Sequence, residues 1–169
     1  MKLYGAAGII YKDWGSFSIA LDYFFKELAL QDKIDNSKSF LIYNNIGGCY
    51  YQLGDKEKTR EFLERAVRDF RNSKVIHTVK NIEAYTIYNN LALLESEDGN
   101  LAKALEMLNE FNEKNKELKD TTNIILALQN LSDLHIKLND NETAKNNLRS
   151  ALKIAQARGN PYDIAFLNN

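Results

Sequence analysis

One short pattern recurs along the 169 residues and limits the fold more than any other feature. Tyr43-Asn44-Asn45-Ile46-Gly47, Tyr88-Asn89-Asn90-Leu91-Ala92 and Leu128-Gln129-Asn130-Leu131-Ser132 share one order: large apolar, two amides, large apolar, small. Leu167-Asn168-Asn169 opens the same order at the end of the sequence. Nine residues after each second amide come Gly54-Asp55, Gly99-Asn100 and Asn139-Asp140, and Gly15-Ser16 holds the matching place near the start. Gly and Asn tolerate the left-handed backbone that ends a helix, while Ser16, Asp55, Asn100 and Asp140 are expected to cap the helix that follows. These turns are 39, 45 and 40 residues apart, the period of a tandem helical hairpin.

Apolar spacing says how the hairpins pack. In the first helix of a pair, Tyr4, Ala7, Gly8 and Tyr11 share one helical stripe, as do Tyr43, Ile46, Gly47 and Tyr50, and the spacing predicts both stripes to be buried. Second-helix stripes run through Ala20, Phe24 and Leu28, then Ala104, Leu108 and Phe111, then Ala144, Leu148 and Ala151. Gly8, Gly47, Ala92 and Ser132 lack bulk where the partner helix should cross, and Ala20, Ala104 and Ala144 answer from the other side. One hairpin cannot bury both faces, so neighbours are expected to stack, with the first helices lining a concave surface.

Tyr4, Ala7, Gly8, Tyr11, Gly15, Phe17, Ala20 and Phe24, then Tyr43, Ile46, Gly47, Tyr50, Gly54 and Ala66, resemble the signature of the tetratricopeptide repeat family over nearly the whole chain. The departures are Glu27 and Phe111 where a small residue is usual, Thr59 in place of alanine, and no proline closing each repeat. The spacing also exceeds the family's usual period of about 34. In this the chain is similar to the longer-helix variety of kinesin light chains, bacterial peptide-pheromone receptors and repeat-bearing bacterial signalling proteins. The resemblance implies an all-α fold, a right-handed superhelical solenoid of antiparallel helix pairs. About four repeats plus a partial fifth are expected in a single domain over 1–169, with repeats near 1–36, 37–76, 77–119, 120–159 and 160–169. Richness in Asn, Lys and Ile points to an AT-rich, bacterial source.

Composition narrows the partners. A net charge of −1 gives no long-range field for nucleic acid or an anionic membrane, so neither is expected to bind this segment. The lone Cys49 excludes an internal disulfide and is expected to be a buried thiol. The amino terminus lacks the apolar length of a secretion signal or span. Pro161, the single proline, fits the start of a ninth helix. The partial repeat after it suggests a piece of a longer protein, and Phe166 and Leu167 would leave an apolar end open to end-to-end self-association.

Catalytic constellations are absent from the sequence: no phosphate-binding glycine loop, no nucleophile elbow, no HExxH and no Cys/His cluster. No catalytic residue, metal or cofactor is expected. His135 occupies the place of Tyr11 and Tyr50 and reads as a core histidine, and His77 falls between helices. Glu95, Glu97 and Asp98 read as a solvated helix end more readily than as a cation site. Arg65, Arg68, Arg71 and Lys74 read as favourable charges near a helix terminus.

The asparagines carry the functional reading. Asn45, Asn90, Asn130 and Asn169 hold one repeat position, turned by about 200° from the buried aromatic or Leu two residues earlier, which places them on the groove side. An amide donates and accepts at once, so a series of them can hold the N–H and C=O groups of an extended peptide. Asn44 and Asn89 lie alongside, where chaperone-tail receptors of the family carry basic residues, so that class of partner is not expected. In the first repeat Ala6 interrupts the series. The competing role for each amide is to bridge neighbouring first helices. Two classes remain: a non-catalytic scaffold for a protein or extended peptide, serving as the sensory or assembly part of a bacterial signalling protein, or the repeat portion of a larger sensor kinase or DNA-binding regulator.

Overall fold

The computed structural model describes residues 2–31, 39–72 and 82–159. These residues form α1 (Lys2–Asp13), α2 (Phe17–Gln31), α3 (Ser39–Gln52), α4 (Lys56–Asn72), α5 (Ile82–Glu97), α6 (Leu101–Leu118), α7 (Thr121–Lys137) and α8 (Asn141–Arg158), with no strand among them. The chain divides into two compact units, Met1–Leu91 and Ala92–Asn169, the division falling inside α5. The expected ninth helix and open end at 160–169 lie outside the described residues, as do His77 and Lys74.

Each hairpin closes by one turn, built four times. The residue that ends the first helix is left-handed: φ is 75° at Gly15, 77° at Gly54, 83° at Gly99 and 60° at Asn139. The next N–H then returns to a carbonyl five residues back, Ser16 to Tyr11, Asp55 to Tyr50, Asn100 to Glu95 and Asp140 to His135, over 2.8 to 3.0 Å. Asn139 adopting this conformation shows that an amide residue can replace glycine there. Caps follow the expected pattern at Asp55 and Asp140, whose carboxylates accept from the backbone N–H of Lys58 and Thr143. Asn100 departs from it: its side chain caps nothing and donates instead to Glu95 Oε2 at 2.6 Å. Two features escaped the sequence reading, the left-handed Lys119 that ends α6 and the Asp120 cap of α7 beside it.

Small residues set the approach of paired helices. A Cβ on Gly8 would stand 2.5 Å from the Phe24 ring, and one on Gly47 would stand 2.8 Å from Leu63, so both glycines are required by contact. Ala92 and Ser132 fill the same place in the second unit, both fully buried, and Ser132 Oγ donates to the Ala144 carbonyl. In the first unit Ala20, Leu21 and Phe24 of α2 pack with Ile42, Ile46 and Cys49 of α3. In the second, Ile124, Ile125 and Leu128 of α7 pack with Ala151 and Ala155 of α8.

Two stripes are less buried than expected. Tyr4 remains 39% exposed where Tyr43 is 2%, because Tyr4 meets one ring, Tyr23, whereas Tyr43 is enclosed by Phe62 and the Arg65 guanidinium. Leu148 is 39% exposed: alanines make the inner face of α8, and the larger Leu148 at the edge of that stripe stays on the rim.

Candidate peptide-binding groove

In the first unit the first helices of successive pairs line a groove of about 340 Å³. Ile9 and Lys12 come from α1, Leu41, Asn44, Asn45 and Gly48 from α3, and Thr86 and Asn90 from α5. The same register that buries Tyr43, Ile46 and Cys49 toward α2 and α4 turns Leu41, Asn45 and Gly48 the other way, which is why a polar face coexists with an apolar one on α3.

The amides divide by what they hold. Asn44 is buried, donates through Nδ2 to Thr86 Oγ1 at 3.1 Å, and accepts at Oδ1 from Asn90 Nδ2 at 2.9 Å. Both ends of Asn44 are therefore occupied in joining α3 to α5, the bridging role that competed with ligand binding. Asn45 is half-buried and accepts at Oδ1 from the Lys12 ammonium at 3.0 Å, which joins α1 to α3. Asn89 is buried outside the lining and makes a long 3.5 Å contact to Asn90 Oδ1. Asn130, half-buried on α7, belongs to the second unit, and Asn169 lies outside the described residues. The groove thus brings together Asn44, Asn45 and Asn90 of the six candidate asparagines. Lys12 was the residue the sequence did not mark, since its charge has no repeat counterpart: Tyr51, Ser96 and Ile136 stand at that place in later copies.

Beneath Gly48, burial pushes the Cys49 thiol up to about 11 despite the nearby Lys12 charge, so the thiol is neutral at physiological pH. Glu95 also revises the sequence reading. It is fully buried, not solvated, and its carboxylate is held by Lys103 Nζ at 2.8 Å and by Asn100. Glu97 and Asp98 are exposed, and no group of three or more metal-ligating side chains gathers among the described residues. The His135 ring is largely buried with Nδ1 3.4 Å from the Asp140 carboxylate. Arg65 and Arg71 spread over the Tyr43 and Tyr88 rings at 4.5 and 5.8 Å. No helix among the described residues is long and apolar enough to cross a membrane.

No curated protein sequence matches the chain. Two models of the tetratricopeptide repeat match it, one over residues 83–157 and another over 40–68, together more than half of its length. Solved structures share the fold at low identity. BtubC (BKLC) from P. vanneervenii has a TM-score of 0.77 at 18% identity, over 94% of this chain and 64% of that one. A signal transduction ATPase with numerous domains from Pyrococcus horikoshii, which carries a tetratricopeptide repeat sensor, has a TM-score of 0.78 at 19% identity, over 97% of this chain and 24% of that one. The repeats of a candidate kinesin light chain from Podosopora anserina reach 0.73 at 14% identity, over 98% of this chain and 84% of that one. The chain therefore spans less than two thirds of the first two. With the four-fold turn, the small residues at each helix crossing and the matches along both units, the chain belongs to the tetratricopeptide repeat family.

Proposed function

We propose that this chain is a non-catalytic protein-binding scaffold and that the groove of its first unit holds an extended peptide. Tetratricopeptide repeats typically serve as such scaffolds. The observation that carries the finer reading is the lining among the described residues: amides, a hydroxyl and an ammonium together with Ile9 and Leu41, a mixture suited to peptide backbone with apolar side chains beside it. Asn45 is the principal reader of the peptide, Asn90 contributes from the brace it shares with Asn44, and Asn130 holds the same repeat register on α7. A sensory place within a larger bacterial signalling protein is the second reading, favoured by the likeness to 24% of the length of a signalling ATPase that carries a tetratricopeptide repeat sensor.

Site-directed crosslinking tests the groove. A benzophenone side chain replacing Leu41, compared with one replacing the exposed Glu64 on α4, is exposed to native lysate, and crosslinked segments are read by mass spectrometry. A segment captured at position 41 and absent at position 64 is the expected result. Equal capture at both positions, or none at position 41, would remove the groove as the site.

A further inference from the structure

We propose that the outer face of α1 docks an amphipathic helix of a partner protein, one that presents a small residue, a leucine and two aromatic rings in the spacing of α2. This surface lies apart from the groove, which takes Ile9 and Lys12 from another side of the same helix.

Leu3, Ala7 and Ile10 of α1 hold the repeat positions of Ile42, Ile46 and Cys49 of α3, and in each trio the steps of four and three residues make one helical stripe. On α3 that stripe is closed by α2, whose Ala20, Leu21 and Phe24 pack with it and leave Ile42 and Cys49 6% and 0% exposed. The matching Ala127, Leu131 and Leu134 of α7 are buried as well. On α1, Leu3 is 84% exposed, Ile10 is 48% exposed and Ala7 is half-buried. The α1 stripe thus has the composition of a helix–helix interface and, among the described residues, no helix laid over it.

The second helix of the hairpin shows the same relation. Phe62 of α4 and Tyr23 of α2 are equivalent in the repeat. Phe62 meets Tyr43, Tyr50 and also Phe25 of the preceding second helix, which stands edge-on at 5.8 Å. Tyr23 has the matching Tyr4 and Tyr11 at 6.3 and 5.3 Å, but among the described residues no ring takes the place of Phe25. The Lys26 ammonium lies over the Tyr23 ring at 5.2 Å, and because Lys26 is exposed that contact is weak and readily displaced. Trp14, exposed and edge-on to Tyr11 at 5.7 Å, carries the apolar surface one turn further.

The same surface therefore occurs twice in the first unit, once covered and once open, and the covered copy shows what closes it. An exposed apolar face running through Leu3, Tyr4, Ile10 and Trp14 has the character of an interaction site. A stripe of i, i+4 and i+7 residues is closed along its length by a second helix, and the interface of α2 with α3 continues onto α1 if that helix has the pattern of Ala20, Leu21, Phe24 and Phe25.

A helical peptide tests this on the ¹⁵N-labelled chain. The probe is residues 17–31 followed by two lysines for solubility, acetylated and amidated, and the control is the same peptide with Leu21→Ser, Phe24→Ser and Phe25→Ser. Wild type is expected to bind the probe with shifts at Leu3, Ala7, Ile10 and the Trp14 indole N–H, about tenfold or more tightly than the control. Ile10→Glu and Leu3→Glu place a charge on the face at positions open enough to keep the fold, which helicity checks. Each should weaken binding of the probe by about tenfold or more. No binding of the probe, shifts confined to the groove residues Asn45 and Gly48, equal affinity for probe and control, or undiminished affinity in either variant would overturn the proposal. A dimer in sedimentation that Ile10→Glu abolishes would overturn it too, because a second copy would then be the occupant.

Discussion

Tyr50 in the first unit and Glu95 in the second occupy the same place in the repeat, yet they hold their hairpins together by different physics. Tyr50 stacks on Phe62 at 5.6 Å with Lys58 over its ring. Glu95 is a fully buried carboxylate tied to Lys103 and to the Asn100 amide. His135, at the same place in the last pair, faces Asp140 instead. The backbone turn beside all three is the same, so the turn is specified by its left-handed residue and helix pattern, and the side chain at this place is exchangeable among an aromatic ring, a carboxylate and an imidazole.

The comparison breaks most readily at the buried charge. Lys103→Met removes the ammonium paired with the buried Glu95 carboxylate and should destabilise by about 2–3 kcal/mol, below the cost for a wholly buried pair because Lys103 is itself half exposed. Glu95→Tyr, which installs the residue of the first unit, should cost less than half as much. Chemical denaturation of the two variants measures this, and a larger loss in Glu95→Tyr would show that the two solutions are not interchangeable.

A second contrast sits at the helix crossing. Gly8→Ala forces a methyl into the fully buried Phe24 ring and should cost about 2 kcal/mol by overpacking. Ser132→Ala at the same place in the second unit loses one hydrogen bond to the Ala144 carbonyl and should cost about 1 kcal/mol. Thermal melts that rank these in the opposite order would mean the first unit is loosely packed at that crossing.

The smallest effect concerns pH. Hydrogen bonds from Thr143, with a lesser contribution from His135, hold the Asp140 carboxyl below the ordinary carboxylate value. Because its folded value is depressed, its stabilisation is present above the ordinary value of 3.8 and is lost as pH falls through the lower folded value. Asp140→Asn should lower the melting temperature slightly at neutral pH, and the gap should close on acidification below that range. A gap that widens in acid would contradict the assignment.

Much of this molecule was legible in the sequence because its signals are local. Gly15, Gly54, Gly99 and Asn139 mark turns by backbone preference alone, and Gly8 and Gly47 mark crossings by what they lack. What escaped depends on contacts between helices, or on a backbone conformation that the residue type does not signal. Glu95 reads as solvated until Lys103 is folded against it. Asn44 and Asn45 are adjacent and chemically identical, yet one is occupied by Thr86 and Asn90 and the other by Lys12, partners some 30 to 50 residues away. Lys119 adopted a conformation for which its residue type gives no hint.

That division between the two neighbouring asparagines is the most direct handle on the groove. Calorimetric titration of a groove-captured peptide segment into wild type, Asn45→Ala and Asn44→Ala, with thermal melts of each, separates reading from bracing. Asn45→Ala should lose about tenfold or more in affinity, from a peptide group left unpaired at a cost of about 1–3 kcal/mol, with little change in melting temperature. Asn44→Ala should lower the melting temperature, because it removes the hydrogen bonds that join Asn44 to Thr86 and Asn90. Wild-type affinity in Asn45→Ala would contradict the account of the groove as an amide-read peptide site.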